Sequence, residues 1–120
     1  MSVRKPKNFK PIPKQRESDV VIAISQWLTA RGIPHWRINC GALPTQQGQL
    51  VRFGAKGMSD FYAIASGGKS IWIECKRPEG GTVSEHQKRF LDCINQNGGI
   101  GIVVTSIESL EAQLKGAGVI

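Results

Sequence analysis

Asp60, Glu74 and Lys76 are the residues whose types and spacing could do chemistry. They sit in two stretches, Gly57-Met58-Ser59-Asp60 and, after thirteen intervening residues, Glu74-Cys75-Lys76. Residues 70–76 (SIWIECK) read as a strand, in which side chains alternate, so Glu74 and Lys76 point to one face and Cys75 to the other. Ile71, Trp72 and Ile73 are apolar, which places a carboxylate and an ammonium at the end of a buried element. Charge there is costly unless a partner or a metal compensates it. Residues 60–65 (DFYAIA) read as the preceding strand and 66–69 (SGGK) as a tight hairpin connection. Antiparallel pairing then brings Asp60 beside Glu74.

Two carboxylates held side by side repel, and a hard divalent cation relieves that repulsion. Oxygen ligands without imidazole or thiolate nearby in sequence indicate Mg²⁺ or Mn²⁺ rather than Zn²⁺. Such an ion polarises a phosphoryl oxygen and lowers the pKa of a bound water, and a neighbouring lysine stabilises the developing charge. Asp…Glu-x-Lys is therefore a set suited to phosphodiester hydrolysis. The competing reading makes Glu74 and Lys76 a cross-strand surface ladder and Asp60 a turn residue.

Two further residues have double readings. Ser84-Glu85-His86-Gln87 fits a capping box, with Gln87 bonding back to the cap amide; Gln87 equally fits a first-turn residue facing the metal or phosphate. Glu17 at the start of a helix fits dipole compensation, yet its place on an apolar stripe suits a third acid looking inward. His35, His86 and the three cysteines lack the spacing of a zinc set. Cys75 reads as a small packed hydrophobe whose backbone carbonyl, not its sulfur, suits a metal.

The elements that must position these residues follow from periodicity. Val21, Ile24 and Leu28 predict a helix over 17–31, stopped by Gly32 and Pro34, with Glu17 at the buried edge of its stripe. Residues 35–39 can form a short strand and 50–53 another, with a polar loop over 40–49 between them. A second helix opens at Ser84 with Phe90, Leu91 and Ile94 inward, and 100–105 (IGIVVT) reads as a strand covered on both faces. A last helix spans 107–115. The expected class is α/β, a mixed sheet flanked by helices in the order α-β-β-β-α-β-α, with a βαβ unit from Ser70 to Thr105.

The chain has 120 residues, 40% of them hydrophobic and 7% aromatic, enough for one domain with a modest aliphatic core. No apolar run approaches the roughly 20 residues of a membrane span, and no apolar segment follows the basic N-terminus as a secretory signal requires. Three cysteines without close pairing predict reduced thiols in a cytosolic setting. The net charge is +7, and residues 1–16 carry six Lys/Arg and no acid. Those residues, with Pro6, Pro11 and Pro13, are expected to be a flexible arm ahead of a domain over 17–120. No acid lies between Asp19 and Asp60, where Arg31, Arg37, Arg52 and Lys56 fall. This asymmetry favours a polyanion, nucleic acid before an acidic membrane; a solubilising tail is the alternative. Arg37, Arg52, Lys56, Lys14 and Arg16 are the expected phosphate contacts.

Glu17 opening a helix, Gly57–Asp60 as G-x-S-D, Ile73–Lys76 as I-E-C-K and Ser84–Gln87 as S-x-x-Q together resemble the VRR-NUC domain, the virus-type replication–repair nuclease branch of the PD-(D/E)xK superfamily. The resemblance spans about residues 17–105; Ser59 stands where that family usually has proline. It implies a restriction-endonuclease-like core and Mg²⁺ or Mn²⁺ held by Asp60, Glu74 and the Cys75 carbonyl. Lys76 would be the catalytic lysine, with Gln87 and Glu17 in support. It further implies a phage-type homodimer acting on four-way DNA junctions in a bacterial cytoplasm. The other readings are a nuclease of flaps, nicks or linear duplex, and a non-catalytic nucleic-acid-binding module.

Overall fold

The computed structural model describes residues 14–38, 41–53 and 57–120, with 41–44 and 50–53 described by their backbone alone. In chain order the elements are α1 (Glu17–Ala30), β1 (His35–Arg37), β2 (Gly41–Pro44), β3 (Leu50–Phe53), β4 (Phe61–Ala65), a single 3₁₀ turn, β5 (Lys69–Cys75), α2 (Glu85–Gln96), β6 (Ile100–Val104) and α3 (Ile107–Gly116). The class is α/β: four strands in the order β1-β4-β5-β6 form a mixed sheet flanked by three helices. β1 and β5 both pair antiparallel with β4, while β6 pairs parallel with β5 after the α2 crossover.

Five strands, not three, stand between the first two helices. Part of the difference is residues 41–44, expected as part of a polar loop, which pair with β3 as a separate two-stranded ribbon. Backbone bonding makes that ribbon: Thr45 donates to the Gln49 carbonyl at 2.7 Å and Gly48 to the Thr45 carbonyl at 3.0 Å, closing the turn. A hydrophobicity pattern does not register such a turn, and Pro44 stands at the last position of its strand. Most of the expected arm, residues 1–13, lies outside the described residues.

Strand alternation sorts the sheet into two faces. On one, Phe61, Ala63, Ile71, Ile73, Ile102 and Val104 are buried against Val20, Ile24 and Leu28 of α1 and Leu110 and Leu114 of α3. Each fully buried aliphatic side chain contributes about 1.5–3 kcal/mol. The row α1 buries runs through Val20 rather than Val21, and Glu17 lies at the rim with its side chain 49% exposed, not at the buried edge expected. His35 ties β1 to α1, with its ring nitrogens within 3.2 Å of the Ser25 hydroxyl and 3.0 Å of the Ile33 carbonyl.

The second face carries Tyr62, Trp72 and Glu74, and α2 follows β5 across it. Its Gln87 meets Glu74 and its Phe90 meets Trp72 edge-on at 5.3 Å. β6 is therefore fully buried on one face and half-covered on the other, where cover on both had been expected. It is also a border strand, and side chains occupy its outward groups. Asn95 both donates to the Gly101 carbonyl (2.9 Å) and accepts its amide (2.8 Å), while Gln113 donates to the Val103 carbonyl (2.7 Å). No helix among the described residues is long and apolar enough to cross a membrane.

Candidate active site

The β4–β5 ladder ends at the pair Phe61–Ile73. Where the next pair would stand, the Cys75 amide donates to Asp60 Oδ2 at 2.7 Å, so a side-chain oxygen continues the ladder and fixes Asp60 beside Glu74. Asp60 Oδ1 is taken by Arg37, whose Nη1 lies at 2.6 Å. Arg37 also covers the Phe61 ring, 5.4 Å from its centroid, and so wraps the end of β1 toward the acid.

Glu74 is 3% exposed. Its Oε1 accepts from Gln87 Nε2 at 2.9 Å and lies 3.3 Å from Lys76 Nζ. The same ammonium lies 3.6 Å from Glu17 Oε1. Three acids thus face two bases. Burial first, and then the charge of Asp60, push the Glu74 carboxyl up to about 7, against the opposing pull of Lys76. Cys75 faces the core, where burial and then the Asp60 charge raise its thiol far above the ordinary range and keep it protonated. Cys75 and Cys93 are free thiols; Cys40 lies outside the described residues.

The approach to Asp60 depends on two small residues. Gly57 has φ +86°, and a Cβ there would stand 2.5 Å from the His86 backbone, so only glycine lets this loop lie on the first turn of α2. Ser59 is buried and donates to the Phe61 carbonyl at 3.2 Å, which fixes the loop just before the acid.

Asp60, Glu74, Lys76, Gln87 and Glu17 are therefore brought together from three elements, α1, β5 and α2, and from the residues just before β4 and just after β5. The expected cations fare differently. Arg37 is committed to Asp60 rather than turned outward. Lys14 pairs with Glu79 at 3.3 Å, and Arg16 opens α1 by donating its amide to Asp19 at 3.0 Å. Both line an open cleft of about 440 Å³ with Glu17, Lys76 and Arg77, directly beside the site. Arg52 stands on β3 opposite Ala42, and Lys56 lies outside the described residues.

Among the described residues, no group of three or more His, Cys, Asp and Glu side chains is arranged to hold a metal. The oxygen donors facing one another are the pair Asp60 and Glu74, with Glu17 on the far side of Lys76. That pair fits a hard cation: an ion between the two acids would relieve the repulsion that raises Glu74, and water would complete its shell. Sequence reasoning missed the Arg37–Asp60 pair because it joins residues 23 apart across a sheet register that no local spacing reveals. The positive φ of Gly57 was legible only as a glycine near Asp60. Compared with known proteins, the chain matches no family model, no curated protein and no solved structure.

Proposed function

We propose that the chain is a Mg²⁺- or Mn²⁺-dependent DNA endonuclease of the VRR-NUC type, acting on four-way junctions as a homodimer. The observation that carries this reading is the Glu74 carboxylate, buried beside Asp60 with Lys76 Nζ 3.3 Å from its Oε1. Asp60 and Glu74, with the Cys75 carbonyl, would hold the ion, which supplies Lewis acidity toward a phosphoryl oxygen and lowers the pKa of water.

The chain's own groups supply the rest. Lys76, its side chain 13% exposed between Glu74 and Glu17, offers a fixed positive charge toward a phosphate entering from the cleft. Gln87 fixes the rotamer of Glu74, and Arg37 is placed to release Asp60 and meet phosphate. Arg16, Lys14 and Arg77 line the approach, in keeping with a chain of net charge +7. A junction needs two symmetric cuts and one domain carries one site, which is the physical case for two copies.

The test is cleavage of a labelled four-way junction with Mn²⁺ or Mg²⁺, beside flap, nicked and linear duplex substrates. Glu74→Ala and Lys76→Ala should each lose about 10²-fold or more of the rate. Undiminished cutting by either variant overturns the assignment, and faster cutting of flaps or duplex moves the substrate.

A further inference from the structure

Four aromatic rings cross the second face of the sheet in one row. Trp36, Tyr62 and Trp72 are register partners on β1, β4 and β5. Their rings follow one another at 5.8 Å and 4.5 Å, inclined by 25° and 35°. Phe90 of α2 closes the row at Trp72. The other end is open: Trp36, on the border strand, is 52% exposed.

The core cannot account for this row, because it lies on the opposite face. Its place relative to the acids is fixed by the strands: Asp60 and Glu74 are two residues along from Tyr62 and Trp72, on the same face and about 7 Å away. Cations stand at the acids rather than in the row: Arg37, which covers Phe61 on the other face, reaches Asp60, and Lys76 lies 3.3 Å from Glu74. One exposed ring at the end of a stacked row, beside acids that carry their own cations, matches a ligand that carries π faces and phosphates together. A protein contact needs a broad apolar area, commonly near 800 Å² per partner. Trp36 is one ring; of the other exposed large apolar side chains described, Ile22 lies on α1, across the sheet, and Ile120 ends the chain.

We propose that Trp36, backed by Tyr62 and Trp72, is a stacking platform for unpaired bases of a DNA strand whose backbone leads to Asp60 and Glu74. Bases inside a duplex are already stacked on both sides, so the platform takes bases set free where pairs at a branch point open next to the cut. This deepens the endonuclease reading by naming a feature of its substrate, and its test involves no cleavage.

The experiment titrates the full chain, in chelator, with fluorescent oligothymidylate and with a duplex of equal length, for wild type, Trp36→Ala and Trp36→Phe. Removing a stacking ring lowers single-strand affinity about 5- to 150-fold by the usual worth of one base–aromatic stack. Trp36→Ala should show that loss, Trp36→Phe should retain most of the affinity, and duplex binding should move less than about twofold. Trp36→Ala should stay folded and melt only about 5 °C lower, through the lost contact with Tyr62, and Trp36→Phe should melt near wild type. Wild type that ignores oligothymidylate, or a Trp36→Ala variant that binds it as tightly, overturns the proposal. So does a variant that turns dimers into monomers with single-strand binding unchanged, which would make the face a contact between copies. If any of these occurs while Glu74→Ala still abolishes cleavage, the platform alone is lost.

Discussion

Gln87 Nε2 lies 2.9 Å from Glu74 Oε1, while the oxygen of the same amide accepts the Ser84 backbone amide at 2.9 Å. One side chain therefore both caps α2, as the capping-box reading expected, and holds the buried acid. The start of α2 and the orientation of Glu74 are a single mechanical unit.

Separate variants should pull the two roles apart. Gln87→Ala loses the cap and the bond to Glu74, at a cost of about 1–3 kcal/mol that changes little with pH. Gln87→Glu keeps an oxygen for the cap but sets a carboxylate against Glu74. It should unfold near wild type at about pH 5 and at least about 1 kcal/mol less stably at about pH 8, as the two charges meet. Chemical denaturation at the two pH values checks both.

Glu74 makes folding pH-dependent in a defined direction. Its folded pKa, about 7, stands above its ordinary 4.5, so between those values the folded chain keeps a proton that the unfolded chain has released. Its contribution to stability is thus complete below about 4.5 and falls as pH rises to about 7, by at most about 3 kcal/mol. Thermal melts of wild type and Glu74→Gln in chelator should diverge across this window, with the variant gaining on wild type as pH rises. Parallel curves would refute the raised pKa.

Arg37 holds the oxygen that a metal would need. Arg37→Gln should therefore tighten Mn²⁺ binding by about tenfold in calorimetry, since it removes both a competitor for Asp60 Oδ1 and a positive charge. Equal or weaker binding would mean that Asp60 takes no part in holding the ion.

Gly57 and Gly32 offer a matched pair. Both have positive φ, +86° and +66°, but a Cβ at Gly32 meets nothing within 4 Å. Gly32→Ala should cost about 1–2 kcal/mol from backbone strain alone. Gly57→Ala must also push back the first turn of α2, so it should cost more and strip hydrogen-exchange protection from residues 88–90.

The thiols should sort by environment. Iodoacetamide should alkylate exposed Cys93 in the native protein and spare Cys75, which burial and the nearby Asp60 charge keep as an unreactive thiol. Mass spectrometry of the peptides decides it.

Much of this was legible in the chain. Alternation in 70–76 and the short 66–69 connection fixed the hairpin that brings Asp60 to Glu74, because register in a tight hairpin is a local property. Capping spacing located the start of α2 at Ser84. What local pattern could not give is what several strands decide jointly. Arg37 meets Asp60 only because β1 lies along β4, and Trp36 joins Tyr62 and Trp72 only through two consecutive registers. Glu17 misled for a related reason: helical spacing gives a face, whereas the depth of that face depends on where the sheet ends.

The side-chain clamps along β6 have a consequence for assembly. With Asn95 and Gln113 occupying groups on that margin, the four-stranded sheet is guarded against strand addition at β6, and β1 is its other margin. Head-to-tail growth through this sheet requires two joinable margins on every copy, so the clamps on β6 work against open-ended stacking of it.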